Sequence, residues 1–328
     1  MRTRLASFLS VALCAFLSPL HAGNLLRVGP GRAHATIQGA IDAAPAPFAV
    51  VRIAPGTYGP FQIGASAPPQ LRLQPLAAGT VVIDTTTGPV VIDSVVSTSA
   101  VELAGLTIGS ATSPNEALVV SNTAATVVLT DLTIIGGSSH AGLRVDDAEA
   151  VVMSRSAAAG NPGVRVESGG VLEITRGAVD ALLLTSGAAV TTCGVQPQSI
   201  VNDGTATLTA LAGFMPDLLV DRSVSLGTNL DLAMATEPTT FWALIGSLQL
   251  VWTDLASPQF ELVCLVDPNV AAILETGFAD GFGLDQRSFV VPAVPALLGV
   301  SLTMQLVAYD PPTTHYRFSN AATVTFQP

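Results

Sequence analysis

The residues between 117 and 186 repeat one short pattern four times. The pattern is a small residue, an apolar residue, a variable residue, a second apolar residue and two polar residues. Its first apolar position falls at Leu118, Leu143, Val164 and Leu182, so the successive spacings are 25, 21 and 18 residues. A period of this size is typical of solenoids, in which each repeat stacks only on its neighbours. We therefore predict a coil of short strands in which these four side chains are buried on successive rungs.

A second family of apolar segments precedes the members of the first. Its sequences are VEL, VVL, VVM and VLE, at residues 101–103, 127–129, 151–153 and 171–173. Both families are rich in Val, Ile and Leu, and Gly, Asn, Ser and Asp separate them, which is typical of strands joined by tight turns. An antiparallel sandwich with the same number of strands is the alternative. The near-regular period favours a parallel β-helix.

The segment before the repeats predicts a short amphipathic helix followed by a strand. Ile37, Ala40, Ile41 and Ala44 fall at i, i+3, i+4 and i+7, so they form one apolar stripe. Thr36 is placed to cap the helix, and the two prolines that follow the stripe prevent its continuation. A β-branched run then ends at a Pro-Gly turn, which indicates a buried strand.

This N-terminal segment resembles the cap and first rung of right-handed parallel β-helix proteins of the pectin-lyase-like superfamily. The residues that carry the resemblance are Val28-Gly29-Pro30-Gly31, Ala35-Thr36-Ile37-Gln38, Ala40-Ile41-Asp42-Ala43-Ala44 and Val51-Arg52-Ile53-Ala54-Pro55-Gly56-Thr57-Tyr58. The resemblance implies an all-β fold that begins with a right-handed parallel β-helix. It does not by itself imply a particular reaction.

The chain is predicted to have three parts. Residues 1–22 are typical of a secretory signal peptide, with two arginines, a long apolar run and a Leu-His-Ala cleavage site. Residues 23–210 form the predicted β-helix domain. Residues 211–328 contain longer alternating strands and both tryptophans, Trp242 and Trp252, which indicates a small antiparallel β-sandwich with the tryptophans in its core. This last part resembles the C-terminal β-domain that follows repeat modules in exported bacterial proteins.

The charge balance restricts the partners of the exported chain. The sequence contains 13 Lys and Arg residues, all of them arginine, against 24 acidic residues. Loss of the signal peptide would remove two of the arginines and leave a net charge of about −13. This balance argues against nucleic acid and anionic membranes as partners. No later segment is long and apolar enough to predict a membrane span, so we expect a secreted or cell-surface protein.

Two cysteines remain after the signal peptide, Cys193 and Cys264. Export would permit a disulfide between them. Because they fall in different predicted domains, we predict two separate buried thiols. Two cysteines without a CxxC motif do not predict a zinc site.

The most specific candidate site lies on two neighbouring repeats. Strand alternation directs Leu143 inward, so Arg144 and Asp146 face outward, and Arg165 and Glu167 do the same one repeat later. Rungs are about 4.8 Å apart, so like charges would stack on like charges. Asp147 adds a further carboxylate at the end of the strand, and His140 lies in the preceding loop. The predicted ligand-binding residues are the five that are charged at neutral pH, namely Arg144, Asp146, Asp147, Arg165 and Glu167.

Two interpretations of this cluster remain open. In the first, it is a polysaccharide site; lyases of the superfamily use cations to neutralise a uronate and a base, arginine in several members, to remove the C5 proton. Carboxylates in such a site would also hold Ca²⁺, the one cofactor that the sequence suggests. In the second, it is a solvated ladder of ion pairs, each of which contributes about 0–1 kcal/mol.

The motifs of catalytic members of the superfamily are missing. The sequence lacks the lyase motif WxDH and the polygalacturonase motifs Asn-Thr-Asp, Gly-His-Gly and Arg-Ile-Lys, and retains only an Asp pair, Asp146-Asp147. A pair of carboxylates alone does not make a glycosidase. No Gly-x-Ser-x-Gly motif is present. We therefore predict a non-catalytic exported protein that binds glycans or partners along one face; the alternative is a lyase or hydrolase of an acidic polysaccharide.

Overall fold

The computed structural model describes residues 25–185, 187–212, 214–253, 255, 259–311 and 313–328. The predicted signal peptide lies outside these residues. The described chain is almost entirely β and falls into two compact units, Asn24–Ala212 and Gly213–Pro328. The first is a parallel β-helix, and the second is built from mainly antiparallel sheets, so the predicted fold class is confirmed.

The first unit contains one short helix, α1 (Ile37–Asp42). Its strands are β1 (Leu25–Val28), β2 (Phe48–Ile53), β3 (Gly56–Tyr58), β4 (Gln62–Ile63), β5 (Gln70–Pro75), β6 (Val81–Ile83), β7 (Val90–Asp93), β8 (Ala100–Ala104), β9 (Thr107–Gly109), β10 (Leu118–Thr130), β11 (Thr133–Ile135), β12 (Leu143–Ser154), β13 (Ala157–Ala159), β14 (Val164–Glu167), β15 (Val171–Thr175), β16 (Ala178–Val179), β17 (Ala181–Leu184), β18 (Ala189–Cys193), β19 (Ser199–Asn202) and β20 (Thr207–Leu211).

These strands form the three faces of a coil. Face A contains β4, β7, the first half of β10, the first half of β12, β14, β17 and β19. Face B contains β1, β2, β5, β8, the second halves of β10 and β12, β15, β18 and β20. Face C contains β3, β6, β9, β11, β13 and β16. All of these pairings are parallel. From β4 to β16 the strands follow the order face A, face B, face C, and β17 to β20 then alternate between faces A and B.

The repeat predicted from the first strand family is confirmed. Leu118 pairs with Leu143, Leu143 with Val164, and Val164 with Leu182. All four side chains are at most 1% exposed and belong to one continuous core that runs through the first unit. Alternation along each strand places every second side chain in this core, and stacking of the rungs aligns them into aliphatic columns.

The second strand family is shifted by one residue from its predicted alignment at its last member. Val151 of β12 pairs with Leu172 and not with Val171. Leu172 and Ile174 enter the core, whereas Val171 is only half-buried. A one-residue shift exchanges the two faces of a strand, so the register is set by which residues reach the core and not by the shared valine.

Helix α1 caps the N-terminal end of the coil, as the sequence predicts. Thr36 Oγ1 accepts a hydrogen bond from the Gly39 N–H at 3.1 Å, which satisfies one of the free donors at the start of the helix. Ile37, Ala40 and Ile41 are buried against the first rungs.

The strands of the second unit are β21 (Asp217–Val220), β22 (Ser223–Ser225), β23 (Asn229–Ala235), β24 (Phe241–Ser247), β25 (Leu250–Thr253), β26 (Phe260–Glu261), β27 (Cys264–Val266), β28 (Ala272–Phe278), β29 (Leu284–Val290), β30 (Ser301–Asp310) and β31 (His315–Gln327), with a 3₁₀ helix at Pro295–Leu297. One sheet has the order β21-β23-β29, a larger sheet has the order β22-β31-β30-β24-β28, and β25 pairs with β27. The unit has its own core, which contains Leu232, Leu244 and Leu306.

The two tryptophans and the two thiols have well-defined environments. Trp242 is fully buried in the core of the second unit, and Trp252 is half-buried. Cys193 and Cys264 are both buried and are not joined in a disulfide, as predicted. Burial raises the pKa of the Cys264 thiol, and the nearby Asp267 carboxylate adds to this increase. Among the described residues, no helix has the length and apolar character needed to cross a bilayer.

Candidate functional site

The predicted site residues occupy adjacent rungs on the outer surface of face A. Arg144 of β12 lies beside Arg165 of β14, and Asp146 lies beside Glu167. We call these four residues the charged ladder. Their side chains are between 22% and 33% exposed, so each is partly accessible to solvent.

Arg144 is surrounded by carboxylates. Its Nη2 lies 2.7 Å from Asp146 Oδ2 and 3.3 Å from Glu167 Oε2, and its Nη1 lies 3.8 Å from Glu116 Oε2. The second oxygen of Glu167 lies 3.4 Å from Arg165 Nε. Glu167 therefore links the two arginines, and the attraction along the diagonals offsets the repulsion within each row of like charge.

These contacts determine the protonation state of Arg144. Burial lowers the pKa of its guanidinium, but the charges of Glu167, Glu116 and Asp146 outweigh burial, so the pKa lies above its ordinary value. A guanidinium in this state is a cation throughout the physiological pH range. Arg144 is therefore suited to hold a ligand or a carboxylate and unsuited to accept a proton.

Asp147 does not extend the charged ladder. It is exposed and has a φ of 50°, which places it at the corner where β12 turns from face A to face B. Asn122 and Ser168 occupy the same corner on the neighbouring rungs, with φ values of 45° and 51°. Asn and Asp are among the few residues that tolerate this left-handed backbone region. The Asp pair in the sequence therefore reflects a ladder residue followed by a corner residue.

His140 lies in the loop before β12 and is half-buried. Its Nδ1 lies 3.1 Å from the hydroxyl of Ser139. Within the described part of the chain, no hydrogen bond or ion pair joins it to the charged ladder.

The sequence did not identify two neighbours of the ladder. One is Glu116, which comes from the connection that leads into β10 and supplies the third carboxylate around Arg144. The other is a cluster around Asp93, which accepts hydrogen bonds from the Ser94 hydroxyl (2.7 Å), the Ser121 hydroxyl (2.7 Å) and the Asn122 amide (2.9 Å). The Asn122, Ser94 and Ser121 bonds hold the pKa of Asp93 below its ordinary value. Asp93-Ser94 and Ser121-Asn122 occupy the same place on neighbouring rungs of the repeat. This equivalence is the sequence feature from which the cluster could have been predicted.

A second polar cluster lies in the second unit, where it joins three strands. Glu261 of β26 receives the Arg317 Nε–H at 2.6 Å and lies 2.6 Å from His315 Nδ1, while Arg317 Nη1 is 3.3 Å from Asp310. Burial raises the pKa of Glu261, but the hydrogen bonds from His315 and Arg317 lower it by more. The pKa of Glu261 therefore lies below its ordinary value. Arg317 is 1% exposed. This cluster therefore holds β26 against β31 and does not form an open site.

The charged ladder, the Asp93 cluster and the Glu261 cluster do not have the form of a metal site. Among the described residues, no group of three or more His, Cys, Asp or Glu side chains is arranged to hold a metal ion. In the charged ladder, the guanidinium of Arg144 occupies the position between the carboxylates where a cation would bind.

Comparison with known proteins assigns no family to the chain. No family model matches it, and no curated protein matches it. A superoxide reductase (neelaredoxin) from Ignicoccus hospitalis is a structural match with 8% identity, which covers 35% of this chain and 81% of that chain at a TM-score of 0.20. A TM-score this low carries no argument about the fold or the function of this chain.

Proposed function

We propose that this chain is an exported, non-catalytic protein of the pectin-lyase-like type that binds a glycan along face A of its β-helix. The observation that carries the proposal is the charged ladder, in which every arginine is already paired with a carboxylate. Export is supported by the signal-like residues 1–22 and by the acidic balance of the chain.

The state of Arg144 argues against catalysis. A base that removes a carbon-bound proton needs a pKa close to the working pH. The carboxylates around Arg144 raise its pKa further from that range. The missing lyase and polygalacturonase motifs point in the same direction.

The geometry of the ladder suits sugar hydroxyl groups. Donors and acceptors recur on successive rungs, about 4.8 Å apart, on a rigid sheet, so binding would cost little ordering of the protein. Three carboxylates surround two guanidinium groups, which leaves the local charge negative. This balance favours neutral glycans, whereas a uronate would bind only if Ca²⁺ bridged it to the carboxylates.

A calorimetric titration tests the proposal. Neutral and uronate oligosaccharides would be titrated into the wild type, with Ca²⁺ and with chelator, and into the double variant Arg144→Gln/Arg165→Gln. The matched control is Arg155→Gln/Arg176→Gln, because these arginines also lie on successive rungs, at the corner that follows face B.

We expect binding of a neutral oligosaccharide to the wild type and to the control, and loss of binding in the ladder variant. No binding of any oligosaccharide would leave the ladder as a structural feature and disprove the proposal. Formation of an unsaturated product, detected by its ultraviolet absorbance, would show that the protein is a lyase.

A further inference from the structure

A two-residue strand of the second unit, β26, pairs with the N-terminal part of β31. It lies parallel to Tyr316 and Arg317, and the Tyr316 N–H donates to the Gln259 carbonyl at 2.7 Å. The Phe260 ring stacks on the rings of Tyr316 and Phe318 at 5.5 and 5.8 Å, yet Phe260 itself is 36% exposed. Because so short a pairing buries little apolar surface, its polar side-chain contacts decide whether it stays docked.

The side chain that fastens β26 to β31 is Glu261. Its Oε2 accepts the Arg317 Nε–H at 2.6 Å, and its Oε1 lies 2.6 Å from His315 Nδ1. Asp310, at the end of β30, pairs with the same guanidinium, 3.3 Å from its Nη1. Among the described residues, the ion pairs of Glu261 are therefore with two groups of β31, and one carboxylate of β30 joins them through Arg317. All of these residues belong to the second unit.

One proton on Glu261 breaks this arrangement. An ionised carboxylate offers an acceptor oxygen to each of its two partners, whereas a carboxylic acid presents an O–H donor on one of its oxygens. Arg317 stays a cation and His315 is a cation in acid, so both still present N–H donors, and a neutral Glu261 no longer compensates their charges. The protonated cluster therefore holds β26 less tightly than the ionised cluster does.

The protonation equilibrium of Glu261 favours docking at neutral pH. Burial raises the pKa of its carboxyl, but the hydrogen bonds from His315 and Arg317 outweigh burial and hold the pKa below the ordinary value of 4.5. The docked state therefore binds fewer protons than the released state in this range. The contribution of Glu261 to docking is complete above pH 4.5 and is lost as the pH falls through the pKa of the docked state.

The chain that follows β26 is strained at one residue and anchored at the next ones. Leu262 has a φ of 70°, in the left-handed region that a leucine adopts only at a cost. The Gln305 side chain then donates to the Val263 carbonyl at 2.9 Å and accepts the Leu265 N–H at 2.8 Å. Release of β26 would relieve the strain at Leu262, while Gln305 keeps the residues after it in place.

We propose that β26 is a latch that is docked on β31 at neutral pH and is released in acid, when Glu261 takes up a proton. Release leaves the adjoining edge of β31 unpaired and takes the Phe260 ring off Phe318. Because Phe318 packs with Cys264 and Val266 in a small core of its own, the latch controls access to this core. The latch acts on the second unit and does not involve the charged ladder.

Hydrogen exchange of the purified full chain between pH 3 and pH 7, corrected for the intrinsic exchange rate at each pH, tests the latch. The informative amide is that of Tyr316, because it donates to the segment that is released. We expect its protection in the wild type to fall at least about tenfold from pH 6 to pH 3, because protonation of Glu261 competes with docking. The amides of β30 at residues 302–304 should stay protected, because the release is local.

Glu261→Gln mimics the protonated side chain, because an amide also turns a donor toward one of the two partners. This variant should show the low Tyr316 protection of the acid state at pH 6 as well as at pH 3. Glu275→Gln is the matched control, because Glu275 is also a half-buried carboxylate paired with an arginine of the second unit. It should retain the pH dependence of the wild type at Tyr316.

Tyr316 protection that stays constant down to pH 3 overturns the inference, and so does a fall that persists unchanged in Glu261→Gln. Simultaneous loss of protection in β30 would also overturn it, because the second unit would then unfold as a whole in acid. The comparison of Tyr316 with β30 in the wild type needs no variant, so it decides the question even if Glu261→Gln does not fold.

Discussion

At the scale of single residues, the aliphatic columns of the β-helix determine its stability. Leu143 is fully buried between Leu118 and Val164, so truncation leaves a cavity that the stacked rungs cannot fill easily. We expect Leu143→Ala to reduce the free energy of unfolding by about 2–5 kcal/mol in urea denaturation. Leu183→Ala is the control, because Leu183 faces outward and is half-buried. Equal losses in the two variants would contradict the proposed inward and outward alternation.

Asp93 should make the stability of the first unit depend on pH. Hydrogen bonds from Asn122, Ser94 and Ser121 lower its pKa in the folded state from the ordinary value of 3.8. The folded state therefore binds fewer protons than the unfolded chain in this range, and the stabilisation is complete above pH 3.8 and is lost as the pH falls through the folded value. Asn122→Gly removes one donor but permits the φ of 45°. In urea denaturation between pH 2 and 6, the variant should lose less stability on acidification than the wild type. An unchanged pH dependence would exclude Asn122 as a cause of the shift.

At the scale of elements, the corner between faces A and B restricts the sequence at one position per rung. Asp147 has a φ of 50° there, and a β-branched residue is strained in this region. We expect Asp147→Val to destabilise the protein by about 1–2 kcal/mol in thermal or urea denaturation. Asp147→Asn should have little effect, because asparagine occupies the same corner at position 122. If the asparagine variant were as unstable as the valine variant, the carboxylate and not the backbone would be the important feature.

Strand alternation and the position of the corner together explain which elements could be predicted from the sequence. The alternation of apolar residues was sufficient to predict the column from Leu118 to Leu182, because inward residues of stacked rungs share one chemistry. It was not sufficient at Val171, where a shared valine suggested the wrong register. Counting from the last ladder residue before the corner gives the correct register, because five positions separate Asp146 from Val151 and Glu167 from Leu172.

The candidate site was predictable only in part, for a related reason. Arg144, Asp146, Arg165 and Glu167 lie on strands, so the repeat alone places them next to each other. Glu116 lies in a connection between faces, and its approach to Arg144 depends on a loop path that no periodicity describes. The same limit applies to the Asp pair, since the two residues by themselves do not show that the strand turns between Asp146 and Asp147.

At the scale of the whole molecule, the part of the chain that the structure describes has one buried thiol in each unit, Cys193 in the first and Cys264 in the second. Both should resist labelling by a thiol reagent in the native protein, and both should react in denaturant without a reductant, because they are not paired with each other. Each thiol therefore reports the opening of its own unit. We expect Leu143→Ala to accelerate labelling mainly at Cys193 and Leu306→Ala to accelerate it mainly at Cys264, because these leucines belong to separate cores. Labelling at increasing urea concentrations, with mass spectrometry of the cysteine peptides, measures the two rates and separates them from any signal of Cys14. Equal acceleration of both thiols by either substitution would show that the chain unfolds as one cooperative unit.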